Sequence, residues 1–350
     1  MKLTENIKLL PTAEQRKLID FAMTEYINTV NRIVDEMIDY DQHFRFSSRM
    51  IKADIPSCLK AQAAGDAFSI DKKMFKRHMK KPVLKKPHAV WNNQNYKIND
   101  GFIEFPVFAG ETKRISVKAL LPDNIKGLFQ FVNLGAMRIC RKNNTYYAQI
   151  AYEPLIETMT VGSGVMGIDL GIKCPAVAVT SEGRVKFFGN GRENKAVKRR
   201  YAAKRHQLQK AKKSDAVKKM RNKEQRRMMD IDHKLSRRIV DFACKNGIGV
   251  IKLEQLSGIR RKCFSQKYST SKSRKNNYIL SSWSFYRLVQ YIQYKAELAG
   301  ITVEFVNPEY TSQVCPVCGK KNKADDRSYI CECGYHGHRD IVGARNILAA

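Results

Sequence analysis

Four cysteines near the end of the chain constrain its fold more than any other feature. Cys315 and Cys318 form a Cys-x-x-Cys pair, and Cys331 and Cys333 form a Cys-x-Cys pair after a loop of about a dozen residues. Two close pairs joined by such a loop supply the four ligands of a tetrahedral Zn²⁺ ion. A glycine follows each pair, and glycine tolerates the tight turn that a thiolate pair needs. The spacing predicts one structural zinc ion in a hairpin over 311–338.

Other interpretations of these cysteines remain open. The second pair is one residue shorter than the usual zinc-binding pair, so His336 or His338 could replace or supplement a thiolate. The four could also be unrelated buried or surface cysteines. Disulfides are disfavoured because the 9 Cys are an odd number and neither a signal peptide nor a long apolar run is visible. We therefore expect a reducing, cytoplasmic environment without membrane insertion.

The charge balance indicates a polyanionic partner. The chain has 64 Lys and Arg against 33 Asp and Glu, which gives a formal charge of +31 in 350 residues. Nucleic acid is the first candidate for the partner of so basic a chain. Hydrophobic residues make up 43% of the sequence, enough to build buried cores, so the chain is not merely a disordered basic tail.

The positive charge is concentrated between Arg192 and Arg238. Pro is absent there, and the composition predicts two long helices with a break near Ser214-Asp215. A solvated helix face would mix both signs of charge, whereas this segment repels itself unless phosphates lie nearby. A second basic stretch, 261–278, is predicted to be a loop. The candidate nucleic-acid contacts are Lys198, Arg199, Arg200, Lys204, Arg205, Arg226 and Arg227.

The first part of the chain predicts a β domain interrupted by helices. Residues 2–10 alternate like a strand, and Pro11-Thr12-Ala13-Glu14 then opens a helix to about residue 40. A second helix is predicted over about 56–78. From 81 to about 152, alternating segments are separated by turn residues, as in a small barrel or sandwich. The predicted apolar face of the first helix comprises Leu18, Phe21, Ala22, Tyr26 and Val30.

From about residue 161 the pattern becomes α/β. The predicted elements are strands over 165–171, 176–180 and 185–188, the basic helices, a strand over 248–254, a helix over 284–300, a strand over 301–306 and a helix over 339–349. The first three strands would pair as a meander. The fourth is largely apolar, as in strands that are buried on both faces, and it ends in an acid. This order of elements is that of the RNase H-like fold.

That order would bring together three acids that are far apart in the sequence. Asp169 ends the first and central strand, Glu254 ends the neighbouring fourth strand, and Asp340 lies in the first turn of the last helix. Taken singly, they could be a turn former, a solvated strand end and a favourable charge at a helix N-terminus. Taken together, these three positions predict a single catalytic cluster.

Converging carboxylates need cations to stay ionised, and hard oxygen ligands select Mg²⁺ or Mn²⁺. Two such ions about 4 Å apart can bind one phosphate, activate a water and stabilise the leaving oxygen. The predicted chemistry is phosphodiester hydrolysis. We expect Asp169 to bridge both ions, with Glu254 and Asp340 each holding one.

The same residues resemble a known family. The runs 167–171, 254–256 and 311–319, together with Cys333-Gly334-Tyr335 and Arg339-Asp340, are similar to TnpB, the insertion-sequence OrfB family related to compact type V CRISPR effectors. The resemblance spans nearly the whole chain, including the opening residues 8–15.

The resemblance implies a function and a domain organisation. Family members are prokaryotic RNA-guided DNA endonucleases associated with transposable elements: a guide RNA from the element's end pairs with DNA, and a short flanking motif is read on the double-stranded target. The implied fold is an α/β RuvC nuclease domain with a zinc-ribbon insert, plus a β-barrel wedge domain interrupted by a helical recognition lobe. The implied bounds are 1–10 and 84–160 for the wedge, 11–83 for the lobe, 161–310 and 339–350 for RuvC, and 311–338 for the zinc hairpin.

The chain departs from the family pattern after the last acid. The Asn that usually follows is missing at Val342, although Asn346 is kept, and Gly343 is expected to weaken the helix by about 1 kcal/mol relative to Ala. Two alternatives to the nuclease remain. One is a nuclease-inactive RNA-guided repressor, which would be expected to lose acids. The other is a transposase or an accessory protein of transposition, because strand transfer on this fold uses the same acids.

Overall fold

Two separate hydrophobic cores organise the chain, one in each of the units Met1–Leu155 and Ile156–Ala350. The computed structural model describes residues 2–40, 43–78, 80–154, 162–256, 285–324 and 326–350. The basic stretch 261–278 therefore lies outside the described residues. The division into wedge, recognition lobe, RuvC domain and zinc hairpin stays a prediction.

The first unit is built on one antiparallel sheet. Its elements are β1 (Leu3–Leu10), α1 (Ala13–Asp39), α2 (Ser57–Arg77), β2 (His88–Trp91), β3 (Lys97–Asn99), β4 (Phe102–Ala109), β5 (Glu111–Leu120), α3 (Asp123–Leu128), β6 (Leu134–Lys142) and β7 (Thr145–Tyr152). The seven strands have the order β2-β6-β7-β1-β5-β4-β3. Because β1 pairs with β7 and β5, the helices α1 and α2 are an insertion into a β unit, as the sequence predicts.

Helix α1 begins at a capping box. Thr12 accepts a hydrogen bond from the Gln15 backbone N–H at 3.3 Å, and the Gln15 side chain accepts one from the Thr12 N–H at 3.0 Å. The predicted apolar face is wrong at Phe21, which is exposed, whereas Ile19 and Met23 are fully buried. The buried face of α1 is centred on Ile19, Tyr26 and Val30, and Phe21 lies on the opposite side of the helix.

The second unit is mixed α/β. Its elements are β8 (Gly164–Asp169), β9 (Ala176–Thr180), β10 (Val185–Phe188), α4 (Gly191–Lys210), α5 (Ser214–Met220), α6 (Lys223–Lys245), β11 (Ile248–Glu254), α7 (Phe285–Leu298), β12 (Thr302–Val306), β13 (Ser328–Ile330), β14 (His336–His338) and α8 (Arg339–Ala349). The two helices predicted between Arg192 and Arg238 are three in the structure, namely α4, α5 and α6. The break near Ser214 is present, and a second break at Arg221-Asn222 was not predicted.

The five-stranded sheet of this unit has the order β10-β9-β8-β11-β12. Strands β8, β9 and β10 form an antiparallel meander, and β11 lies parallel to both β8 and β12. The predicted meander and the predicted adjacency of the first and fourth strands are confirmed. The carboxyl ends of β8 and β11 therefore lie at one edge of the sheet.

Helix α8 packs on β8 through a glycine. A Cβ atom added to Gly167 would lie 2.3 Å from the Ala344 carbonyl oxygen and 2.5 Å from the Leu348 nitrogen. Those backbone atoms could not withdraw without moving the helix. Lys252 on β11 donates to the carbonyl oxygen of Leu348 at 3.2 Å, at the C-terminal end of α8, where a cation is favourable.

Candidate active site and zinc centre

Asp169 occupies the last position of β8, in the middle of the sheet. Burial is the main cause that raises its pKa, to about 7, and the charges of Glu254 and Asp340 raise it further. Arg327 and Arg339 act in the opposite direction. The electrostatic effect of both other acids on Asp169 means that the three carboxylates lie close together.

Glu254 is the last residue of β11, whose register pairs Leu253 with Ile168 of β8. It therefore lies beside Asp169 at the sheet edge. Only 9% of Glu254 is exposed, and burial raises its pKa. The Thr311 hydroxyl donates a 2.5 Å hydrogen bond to Oε1, which partly offsets that rise.

Asp340 is the second residue of α8 and is 7% exposed. Its backbone N–H donates to Nδ1 of His338 at 3.2 Å, so His338 caps the helix. Arg327 forms an ion pair with the Asp340 carboxylate. Arg327 is not among the predicted site residues, because nothing in its local sequence indicates which acid it contacts.

Gly343 acquires a role that the sequence did not indicate. A Cβ atom at this position would lie 3.2 Å from Cγ and 3.3 Å from Oδ2 of Asp169. Such contacts are tighter than most real Cβ contacts, so an alanine would press on the carboxylate. The glycine that lowers the intrinsic helix propensity of α8 thus leaves room for Asp169.

The cluster has the chemistry of a divalent cation site. Burial and the charges of Glu254 and Asp340 raise the cost of ionising Asp169, and bound cations would relieve that cost. Thr311 occupies one oxygen of Glu254 and Arg327 one oxygen of Asp340, which leaves each a second oxygen for coordination. Carboxylate oxygens are the ligands that Mg²⁺ and Mn²⁺ prefer.

The four predicted zinc ligands meet in one place. The Sγ atoms of Cys315, Cys318, Cys331 and Cys333 all lie within 4.8 Å of one another. The Cys315–Cys333 distance is 3.7 Å and the Cys318–Cys331 distance is 3.5 Å. Tetrahedral Zn²⁺ with Zn–S bonds of about 2.3 Å places its sulfurs about 3.8 Å apart, so the donor set fits zinc.

The turns and neighbours of the cysteines support the same interpretation. Gly319 and Gly334 have φ angles of 72° and 86°, the left-handed conformation expected after each pair. The Asn322 side chain donates to Sγ of Cys331 at 3.0 Å, a contact suited to a thiolate. Among the described residues, the metal-ligating group contains cysteines only, and the Nδ1 atom of His338 caps α8 instead.

The zinc hairpin is directly connected to two of the acids. Arg327 precedes β13 and binds Asp340, and its carbonyl oxygen accepts a 2.7 Å hydrogen bond from the Arg339 N–H. Thr311, four residues before Cys315, binds Glu254. The hairpin segment therefore contacts two of the three acids, Glu254 and Asp340.

The predicted nucleic-acid contacts fall into three groups. Arg205 is paired with Glu224 at 2.6 Å and Arg227 with Asp230 at 3.2 Å, so part of their charge is already compensated. Lys198 is half-buried. The remaining candidates are exposed on α4 and α6, and they are Arg199, Arg200, Lys204 and Arg226.

Comparisons with known proteins agree with this geometry. Residues 149–260 match the OrfB_IS605 family, described as a probable transposase, and residues 285–347 match the TNB domain of Cas12f1-like proteins. The fold itself is similar to that of Cas12f1 in a cryo-EM structure of a Cas12f1–sgRNA–target DNA complex. That similarity has a TM-score of 0.71 and covers 95% of this chain and 81% of that one, at 16% identity.

Two curated proteins are also similar to this chain in sequence. The chain is 29% identical over 226 residues to the CRISPR-associated endodeoxyribonuclease Cas12f1 of Sulfoacidibacillus thermotolerans, covering 59% of this chain and 50% of that protein. It is 30% identical over 162 residues to the TnpB-like protein MJ0751 of Methanocaldococcus jannaschii, covering 44% of this chain and 56% of that protein. The chain thus spans about half the length of these curated relatives.

The fold is therefore similar to that of Cas12f1. In sequence, the chain is similar to TnpB-like and Cas12f1 proteins, and the resemblance to the OrfB family is confirmed. Within the described residues, no helix combines the length and the apolar character that crossing a bilayer demands.

Proposed function

We propose that this chain is an RNA-guided DNA endonuclease that hydrolyses phosphodiester bonds at Asp169, Glu254 and Asp340. The observation that carries the proposal is the cluster of these three acids at the ends of β8 and β11 and the start of α8, where burial and mutual repulsion raise the pKa of Asp169 to about 7. The name endodeoxyribonuclease, carried by a relative, supports it.

The three carboxylates would hold two Mg²⁺ or Mn²⁺ ions. Two bound cations of this kind would lower the pKa of an attacking water and stabilise the leaving oxygen of an in-line displacement. Asp169, whose pKa is raised by the charges of both other acids, would contribute a carboxylate ligand to this cation site. Thr311 orients Glu254, while Arg327 and the α8 N-terminus orient Asp340.

Zinc has a structural role in this proposal. Cys315, Cys318, Cys331 and Cys333 would bind one Zn²⁺ ion and close the hairpin from which Arg327 and Thr311 reach the acids. A four-thiolate site leaves no open coordination position, so the ion fixes structure rather than reacting with substrate.

The proposed partners are a guide RNA from a transposon end and a double-stranded DNA target with a short flanking motif. The charge of +31 and the exposed cations of α4 and α6 support a polyanionic ligand. The solved Cas12f1 complex contains sgRNA and target DNA. In this proposal, 11–83 is the recognition lobe, 1–10 and 84–160 the wedge, 161–310 and 339–350 the RuvC domain, and 311–338 the zinc hairpin.

The two alternatives can be separated from the nuclease. A nuclease-inactive repressor is disfavoured because all three acids are kept and lie together. Strand transfer by a transposase would use the same acids, and one matching family is described as a probable transposase. The products distinguish them, since hydrolysis leaves free DNA ends whereas strand transfer joins one end to another DNA.

The test begins with the RNA that copurifies with the full chain. Sequencing should reveal one discrete RNA that carries a transposon end, and a plasmid library with a matching target and randomised flanks should be cut in Mg²⁺ next to one short motif. Asp169→Asn should retain the RNA and bind the same target without cutting it.

Two results would reject the proposal. One is random cellular RNA together with joined DNA products, which would favour a transposase. The other is cutting by Asp169→Asn at the wild-type rate, which would refute the assignment of the active site.

A further inference from the structure

We infer that Thr311 is a positioning residue that orients Glu254 as a cation ligand, and that Asn346 holds Thr311 in place for this task. The inference rests on the proposed function, because it concerns the same carboxylate site. It adds two residues that would act through Glu254 rather than as cation ligands themselves.

The contact itself is short and partly buried. The Thr311 hydroxyl lies 2.5 Å from Oε1 of Glu254, a residue that is 9% exposed. The hydroxyl also lies 3.3 Å from the carbonyl oxygen of Pro308, but it has only one proton to donate. An ionised carboxylate is the stronger acceptor, so the proton goes to Glu254 when that residue is charged.

Asn346 fixes the backbone that carries Thr311. Its Nδ2 atom donates to the carbonyl oxygens of Thr311 at 2.6 Å and Val314 at 2.7 Å, which uses both amide protons. Asn346 lies on α8, the helix that presents Asp340. The turn that orients Glu254 is therefore tied to the helix that carries another acid of the site.

The other side of this turn is held by the zinc hairpin. The carbonyl oxygen of Gln313 accepts a 3.0 Å hydrogen bond from the buried Tyr329 hydroxyl and a 2.8 Å bond from the Asn322 N–H. Thr311 thus sits on a segment that is fixed from both sides. A fixed donor limits the rotamers of a long Glu side chain and leaves Oε2 directed for coordination.

A purely structural role for Thr311 makes a different prediction. If the hydroxyl only closed the turn onto Pro308, its loss would lower stability and leave cation affinity unchanged. If it orients Glu254, its loss weakens cation binding about 10-fold, as is typical for groups that hold a metal ligand. Cation binding by the protein, measured without DNA, separates the two roles.

The experiment measures Mn²⁺ binding to the full chain, freed of nucleic acid, by electron paramagnetic resonance. Thr311→Val should raise the Kd about 10-fold. Thr311→Ser keeps the hydroxyl and should stay within about two-fold of wild type, as should the control Thr302→Val at an exposed position of β12. Asn346→Ala should shift the Kd in the same direction as Thr311→Val. Zinc content should be unchanged in every variant.

Each outcome has a definite meaning. Wild-type affinity in Thr311→Val, alongside lost binding in Glu254→Gln, would overturn the role of Thr311 and leave the proposed function standing. Mn²⁺ binding that does not depend on Glu254 would overturn the cation site and this inference with it. Should Thr311→Val fail to fold, Thr311→Ala and Thr311→Ser form the same comparison.

A Mg²⁺ titration of DNA cleavage gives a second readout. For Thr311→Val, the half-maximal Mg²⁺ concentration should rise about 10-fold while the rate at saturation approaches wild type. A lower saturating rate at an unchanged midpoint would contradict a positioning role.

Discussion

The zinc hairpin and the carboxylate cluster both gather side chains for metal ions, but the protein holds them differently. The four cysteines lie within 19 positions of one another, from Cys315 to Cys333, and their own turns bring them together. The three acids come from two strands and a helix, and they repel one another. The first site can stabilise its surroundings once zinc binds, whereas the second costs stability until cations arrive.

Substitutions of the three acids test this contrast most strongly. Asp169→Asn, Glu254→Gln or Asp340→Asn should each slow DNA cleavage on the order of 10³-fold, because several kcal/mol of charge stabilisation is lost. In cation-free protein, Asp169→Asn should raise the free energy of unfolding by about 1 kcal/mol, since a repelled carboxylate is removed. Single-turnover cleavage and urea denaturation measure the two effects. A destabilised Asp169→Asn protein would break the contrast.

Removal of a zinc ligand should have the opposite effect on stability. Cys315→Ser is expected to release zinc and destabilise the C-terminal region by about 4 kcal/mol or more, because a metal-closed hairpin loses its main constraint. Elemental analysis and urea denaturation check this, with Cys244→Ser as control because Cys244 is exposed and lies outside the cluster. Pure wild-type protein without zinc would refute the assignment.

Substitutions at two glycines distinguish the packing of α8 on the sheet from the space that the Asp169 carboxylate needs. Gly167→Ala should destabilise the second unit by about 1–3 kcal/mol, because its Cβ meets backbone atoms of α8. Gly343→Ala meets the side chain of Asp169 instead and gains about 1 kcal/mol of helix propensity, so we expect little change in stability but slower cleavage. Urea denaturation of both variants measures the change in stability, and cleavage assays measure the change in rate. Equal effects of the two on both measurements would contradict this distinction.

The pH dependence of cation use should show the smallest effect. Because burial and the other two acids raise the pKa of Asp169 to about 7, the Mg²⁺ requirement should increase as pH falls below that value. Arg327→Gln removes a group that lowers this pKa, so the same increase should begin at higher pH. Mg²⁺ titrations of cleavage at several pH values measure it, with the exposed Arg184→Gln as control. An unshifted profile for Arg327→Gln would count against this electrostatic link.

Much of the architecture could be predicted from local patterns. Alternating apolar residues indicated strands of the first sheet, apolar runs indicated strands of the second, and Thr12 marked the start of α1. The grouping of Cys315, Cys318, Cys331 and Cys333 followed from their spacing, since a chelating turn is a local structure. The second break at Arg221-Asn222 and the exposure of Phe21 were not predicted, because they depend on what each helix face packs against.

Contacts around the acids could not be predicted in the same way. Arg327 reaches Asp340 across 13 positions, and Thr311 reaches Glu254 across 57. No periodicity specifies such pairs, since each depends on where the sheet edge, the hairpin and α8 meet. Gly343 shows the same limit, because a residue that weakens an isolated helix is favourable once Asp169 lies beside it.

The sequence by itself determined the ligand types, the zinc-binding spacing, the strong positive charge and the order of strands and helices. The tertiary structure decided which side chains support the acids and how much their burial costs. The physical reason is that spacing and periodicity act within a few residues. The pKa of Asp169 and the orientation of Glu254 depend on atoms that only folding brings near.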